Sequence, residues 1–252
     1  MAEEPLIRIC EVHKRLGSQN VLKGINLEVP TGETLVVLGR SGGGKSVLIK
    51  HIIGLMKPDS GQVFVEGEDV TKLDERQLVE VRKKVAMLFQ SAALFDSMTV
   101  GQNIAFPLRE AGIKDPAIID EKVARALEMV DLAGNESKMP DSLSGGMRKR
   151  VGLARAIVSE PKCILYDEPT TGLDPVVADS INRLIRRLQT RLGVTSIVVT
   201  HDMKSAFHVA DRMSYLHDGR IYFYGTVDEL RATNDPVLKN FVEGQSDETQ
   251  QD

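Results

Sequence analysis

Apolar and polar residues alternate near the start of the chain, with Leu6, Ile7, Ile9 and Val12 forming one set and Ile25, Leu27 and Val29 a second. Period two predicts strands buried on one face, and the nearly unbroken apolar run Thr34 to Leu38 predicts a strand buried on both. Pro30-Thr31-Gly32 supplies the turn between the last two. Beyond it, Val47, Leu48, Ile49, Ile52 and Ile53 recur at helical spacing. Pro58-Asp59-Ser60-Gly61 marks a turn, Gln62 to Val65 a short strand, and Glu66-Gly67-Glu68-Asp69 another turn. Asp74 with Gln77 three residues on has the form of a capping box, which predicts a helix to about Lys83. Val85 to Phe89 is a run of strand length that delivers Gln90 to its end.

The pattern changes from Ser91 to about Ser159. Thr99 with Gln102 offers a second cap, Asp115-Pro116 a third start, and Ile119, Val123, Leu127 and Val130 repeat at helical spacing. Strand signals are lacking in this stretch, which predicts a helical subdomain inserted into a strand-rich core. Past Pro161 alternating units return: a strand at Cys163 to Tyr166, a helix from about Val176 to Leu192 closed by Gly193, and the β-branched run Thr195 to Thr200. Ser214 to His217 and Ile221 to Tyr224 flank Asp218-Gly219, the signature of an antiparallel hairpin with a type I′ turn. The expected fold is α/β with a mostly parallel sheet, N-terminal antiparallel strands and the inserted helices. Residues 1–90 and 160–242 form the expected core, 91–159 the helical subdomain, and 243–252 a polar, acidic tail expected to be disordered.

Composition narrows the class. With 252 residues and 42% hydrophobic content the chain can bury a sizeable core, and its formal net charge of -4 argues against nucleic-acid binding through bulk charge. Its two cysteines, Cys10 and Cys163, both lie in apolar strand-like runs and imply neither a disulfide framework nor a zinc site. The acidic start MAEEPLIRIC has no secretory pattern, and no apolar run approaches the ~18 residues of a membrane span. The expected location is cytoplasmic, with any membrane role conferred by a partner.

Candidate chemistry centres on Gly39-Arg40-Ser41-Gly42-Gly43-Gly44-Lys45-Ser46, followed by Val47. This is G-x-x-x-x-G-K-S between a buried strand and a helix start. Its glycines let consecutive amides converge on a polyphosphate, the helix N-terminus adds a positive dipole end, Lys45 a charge for the β/γ-phosphates, and the Ser46 hydroxyl a ligand for Mg²⁺. Cys163 to Tyr166 delivers Asp167-Glu168 to the carboxyl edge of the sheet, where ligands sit. There Asp167 would hold Mg²⁺ directly or through water, and Glu168 would orient the attacking water. Leu143-Ser144-Gly145-Gly146-Met147 opens a further helix pattern. It is a second anion-ready N-terminus, although by spacing alone an ordinary serine N-cap is the better reading. His201 closes the strand Thr195 to Thr200, where a side chain can reach a nucleotide; taken alone, a surface histidine is the better reading. His13, His51, His208 and His217 have no metal-ligand spacing.

In order and spacing, Gly39 to Ser46, Gln90, Leu143 to Gly146, Asp167-Glu168, Gly172-Leu173-Asp174 and His201 resemble the ATP-binding cassette (ABC) transporter ATPases from about residue 6 to about residue 242. The resemblance implies a P-loop NTPase fold and a homodimer closing on two Mg²⁺-ATP, with Lys45 of one subunit and Ser144 to Gly146 of the other on the same γ-phosphate. It also implies that Gln90 touches Mg²⁺ and the lytic water, that Asp174 lies at the dimer seam and that His201 contacts the γ-phosphate.

Two departures from the family stand out. Residues His13 to Gly17 offer no Phe or Tyr to stack on adenine, leaving His13 or Leu16, and Met147 replaces the usual Gln. The stretch from Met87 to Val100, with Asn103 to Glu110, is similar to ATPases of Mla/Mce-type phospholipid transporters. That likeness implies an MlaE-like integral membrane permease, an MCE-domain protein, a small STAS-type regulatory subunit and a place on the cytoplasmic face of the inner membrane. Leu94, Phe95 and Met98 are then either docking surface for the permease or core of the subdomain. A small-nutrient importer and a non-transport ABC regulatory ATPase are the competing expectations.

Overall fold

The computed structural model describes residues 4–244. Two sheets organise them. The first is antiparallel, in the order β2 (Gln19–Val29), β1 (Ile7–Leu16), β4 (Ser60–Val65), β5 (Glu68–Asp69). The second has the order β10 (Arg220–Thr226), β9 (Arg212–His217), β3 (Thr34–Leu38), β8 (Thr195–Thr200), β7 (Cys163–Asp167), β6 (Val85–Leu88). Its strands from β9 to β6 run parallel and β10 returns antiparallel along the edge.

Period two explains how this second sheet holds two cores. On β3, Val36 and Leu38 face one apolar cluster while Leu35 and Val37 face the other; Ile164 and Tyr166 against Cys163 and Leu165 on β7 divide in the same way. One cluster is shared with the antiparallel sheet and with α1 (Lys45–Ile52) and α2 (Glu75–Lys84). The other is covered by α3 (Val100–Glu110), α4 (Pro116–Met129), α5 (Gly145–Ile157), α6 (Pro175–Leu192) and α7 (Met203–Val209). Two short helices, α8 (Val227–Ala232) and α9 (Pro236–Glu243), finish the described chain.

Caps sit where the sequence places them. Asp74 and Thr99 form complete capping boxes with Gln77 and Gln102, and Gly193 ends α6 in the left-handed region at φ 64°. Both Asp218 and Gly219 have positive φ, as a type I′ turn requires, and His217 pairs with Arg220 across it.

Four local expectations need correction. Ser60 and Gly61, expected in a turn before a strand from Gln62, already belong to β4. Of Glu66 to Asp69, only Glu66 and Gly67 turn, at φ 50° and 78°. Both being left-handed closes the hairpin in two residues, so Glu68–Asp69 is already back in register against Phe64 and Val65. The strand before Gln90 stops at Leu88 rather than Phe89. Glu243, assigned to the disordered tail, is the last residue of α9, and Gly244 caps it at φ 70°. The rest of that expected tail, 245–252, lies outside the described residues.

Candidate functional site

The carboxyl ends of β3, β8 and β7 are adjacent, and each carries chemistry. After Leu38 the glycine-rich loop turns through left-handed Gly42 (φ 75°) and Gly44 (φ 98°), and the Gly43 amide donates to Arg40 O at 3.0 Å. Gly44 is required twice over, since a Cβ there would also lie 2.8 Å from Val21 Cγ1. It is the N-cap of α1 and has no side chain to occupy the first amides of the helix. Lys45 reaches back over that loop: its Nζ donates to Gly39 O at 2.8 Å and Arg40 O at 3.0 Å, and lies 3.3 Å from Glu168 Oε1.

The Ser46 hydroxyl donates to Asp167 Oδ1 at 2.6 Å, joining the start of α1 to the end of β7. Glu168 follows in the left-handed region at φ 47°, and its amide donates to Val199 O at 3.0 Å. Its carboxylate accepts from Thr171 Oγ1 at 3.1 Å and Thr200 Oγ1 at 3.3 Å, and both its oxygens lie 3.0 Å from His201 Nδ1. Burial acts to raise the Glu168 pKa, but His201, Lys45 and Thr171 outweigh it and hold the carboxyl below its usual range. Lys45, Ser46, Asp167, Glu168 and His201 therefore form one connected polar cluster.

Other expected site residues stand apart from that cluster. Ser144 is the N-cap of α5, accepting from Met147 N at 3.3 Å, and Gly145 and Gly146 lie against Leu173 and Val177. Asp174 is the N-cap of α6 and accepts from the amides of Val176 and Val177 at 3.0 Å. Ser144 and Asp174 thus flank one exposed corner where two helices begin. Gln90 is exposed two residues past β6. His13 lines a cleft with Arg15, Asn20, Lys23 and Arg220, while Leu16 stands exposed at the end of β1. Leu94 packs on the helical core; Phe95 is 42% exposed and touches Phe106 at a ring separation of 4.9 Å.

Sequence reading passed over Lys149. It lies in the basic run Arg148-Lys149-Arg150 yet is buried, its Nζ donating to the carbonyls of Gln90 and Glu168. Helical phase held the clue, because Lys149, Leu153 and Ile157 recur every four residues on the buried face of α5.

An α/β sheet that presents a glycine-rich loop, a lysine and paired carboxylates at one edge defines a nucleoside-triphosphate-binding protein of the P-loop type. Comparison with known proteins narrows this: residues 22–171 match the ABC transporter family. The probable ribonucleotide transport ATP-binding protein mkl of Mycobacterium leprae is 40% identical over 238 residues, 94% of this chain and 69% of the relative. The intermembrane phospholipid transport system ATP-binding protein MlaF of Haemophilus influenzae is 39% identical over 242 residues, 96% of this chain and 92% of the relative. The MlaF of Escherichia coli is 38% identical, with 96% and 90% covered.

Among solved structures, an ATP-binding cassette in a dimeric, post-hydrolysis state bound to ADP and Pi superposes with a TM-score of 0.80, at 31% identity over 88% of this chain and 98% of that one. The cbiO1 protein of Clostridium perfringens, part of the ABC transporter complex cbiONQ, gives 0.83 at 30% identity over 94% and 95%. The chain belongs to the ABC transporter family and is the ATP-binding, ATP-hydrolysing subunit of such a transporter. Among the described residues no helix is long and apolar enough to cross a membrane.

Proposed function

We propose that this subunit powers a phospholipid transporter, working as a homodimer on the cytoplasmic face of the inner membrane beneath an MlaE-like permease. An MCE-domain protein and a small STAS-type subunit complete the proposed assembly. The near-full-length likeness to two MlaF proteins carries the cargo assignment. The mkl relative, named for ribonucleotides, is matched over less of its length.

In the proposed cycle the amides of Gly42 to Val47 and the Lys45 ammonium bind the β/γ-phosphates of ATP. To do so Lys45 exchanges its contacts with Gly39 O and Arg40 O for phosphate oxygens. Ser46 and Asp167 are the residues that would hold Mg²⁺, with Gln90 beyond them. A hydroxyl and a carboxylate already in contact fit an ion that takes few protein oxygens and fills its sphere from phosphates and water. When bound, that ion neutralises charge on the phosphates. Glu168, ionised and held by His201, Thr171 and Thr200, orients the attacking water, and His201 has the proposed role of donor to the γ-phosphate. Ser144 to Gly146 of a second copy close over the same phosphate, and Asp174 lies at the seam, which accounts for their absence from the Lys45 cluster.

Purification from native membranes in mild detergent, with lipid analysis of the complex, tests the cargo. Co-purification of an integral membrane permease with bound phospholipid, and phospholipid-stimulated ATPase, is the expected result. Stimulation by ribonucleotides or another small solute instead would overturn the lipid assignment.

A further inference from the structure

Lys149 is 5% exposed, within α5 where it packs against β6 and α6. Burial lowers its pKa, while Asp167 and Glu168 pull it back up. A methionine of the same length would fill this space at no desolvation cost, so the position of the ammonium calls for a reason beyond packing.

Its acceptors supply that reason. Lys149 Nζ donates to Gln90 O, just past the end of β6, and to Glu168 O at 3.3 Å, just past the end of β7. Glu168 occupies a left-handed conformation that no glycine relieves, so its backbone needs holding from outside. Thr171 N holds the same carbonyl at 3.2 Å from within the turn; Lys149 is the anchor from another element. Six residues along the same helix, Arg155 donates to Ala92 O and Ala93 O at 2.7 Å each, and both of these alanines are also left-handed, at φ 63° and 46°. One helix thus grips the loop after Gln90 at three carbonyls and the acidic turn at a fourth.

We infer that Lys149 is a positioning residue for ATP hydrolysis, acting through the Glu168 and Gln90 carbonyls to fix the direction of the Glu168 carboxylate and to tie it to the helix that begins at Ser144. This rests on Glu168 orienting the attacking water. The coupling has a physical path: a shift of α5, whose N-terminus is proposed to meet the partner's nucleotide, moves the Lys149 ammonium and with it the Glu168 backbone. Arg155, which holds the loop but not the acidic turn, is the natural comparison.

The test measures kcat, KM for ATP, ATP-driven dimerisation and thermal midpoint on the full chain, for Lys149→Met, Lys149→Gln, Lys149→Arg, Arg155→Met and Glu168→Gln. Lys149→Met is expected to lower kcat about 10- to 100-fold with KM and dimerisation unchanged, since a small misplacement of a catalytic group costs on this scale. Lys149→Arg, which keeps a cation in reach of both carbonyls, is expected to restore most of the rate, with Lys149→Gln between. Arg155→Met is expected to lower kcat less than Lys149→Met.

Wild-type kcat in a folded Lys149→Met overturns the inference. So does a rate loss matched by equal losses in ATP affinity and thermal midpoint, the pattern of general damage to α5. Should Lys149→Met not fold, a graded kcat at constant KM across Arg and Gln supports the inference, and wild-type rates in both overturn it. If Glu168→Gln hydrolyses normally, the assignment of the water-orienting residue has failed. If it is inactive while Lys149→Met is normal, this inference alone has failed.

Discussion

Lys45 Nζ faces Glu168 Oε1 at 3.3 Å, the lysine side chain 4% exposed, so a cation of the glycine-rich loop neutralises the carboxylate of the neighbouring strand end. Lys45→Ala removes the proposed phosphate contact together with one partner of a buried carboxylate, whose remaining partners His201, Thr171 and Thr200 stay in place. ATP affinity is expected to fall, and stability with it by only about 1 kcal/mol, the net worth of a single hydrogen bond, because the carboxylate keeps its other partners. Nucleotide titration and urea unfolding read the two effects separately, and unchanged ATP affinity would count against the loop as the phosphate site.

Glu168→Gln keeps the shape of the side chain and removes its charge. The expected outcome is retained ATP binding, a dimer trapped on nucleotide, and kcat lowered about 100-fold or more. The pH dependence follows from the depressed pKa of Glu168. Its carboxylate stays ionised as pH falls through the ordinary carboxyl range near 4.3, so it places no acid limit on turnover at neutral pH. It adds stability above that range, lost as pH drops through the folded value. Because His201 is the largest of the influences lowering this pKa, His201→Ala is expected to move the acid limb of kcat to higher pH. A limb that stays in place would separate His201 from the ionisation of Glu168.

The strands, the glycine-rich loop and the paired carboxylates were legible because they rest on local rules, whereas His201 stood out only through the family resemblance. Alternation in β1 and β2, and the apolar runs of β3, β7 and β8, follow from which faces are buried, and parallel order brings their carboxyl ends together. Lys149 was not legible as a site residue: within three successive basic residues only the phase of α5 sets it apart, and its acceptors are carbonyls whose direction depends on the left-handed Glu168. The short helices α7, α8 and α9 carried clear caps at Asp202, Thr226 and Asp235, but lengths of six to eight residues give too few turns for periodicity to register. Ser144 and Asp174 are ordinary caps within one chain, so any second role depends on a surface that one chain does not contain.

At Gly146, α5 lies against Val177 of α6. A Cβ there would lie 2.6 Å from Val177 Cγ1, so Gly146→Ala is expected to destabilise by about 1–3 kcal/mol, as overpacking does. Val177→Ala removes the colliding methyl. The double variant is therefore expected to be more stable than Gly146→Ala alone, giving a favourable coupling in a double-mutant cycle. Strict additivity in urea unfolding would mean that the two side chains do not meet.

His51 gives the protein a second pH dependence, far milder in chemistry but visible in stability. Its Nδ1 donates to Val47 O at 2.6 Å inside α1, and its buried Nε2 has no partner among the described residues. Burial is the main cause that lowers its pKa below the ordinary value of about 6.5. The unfolded chain therefore binds a proton before the folded one does. Stability is expected to be full above pH ~6.5 and to fall as pH drops from there toward the folded value. Urea midpoints measured from pH 8 to pH 5 should show this slope in the wild type and a shallower one in His51→Gln. Equal slopes would place the titration elsewhere.

The two aromatic rings Phe95 and Phe106 settle how to probe the proposed permease contact. Leu94 is partly buried against the helical core, and the Met98 carbonyl accepts from Asn103, so polar changes at either mix folding with docking. Phe95, exposed and supported by Phe106 from α3, presents its outer edge to solvent. Phe95→Ser is expected to shift stability by no more than about 1 kcal/mol, the value of the lost ring pair. Basal ATPase should persist, and stimulation by the reconstituted permease should fall. Loss of folding would assign Phe95 to the subdomain core, and full stimulation would move the docking surface away from this loop.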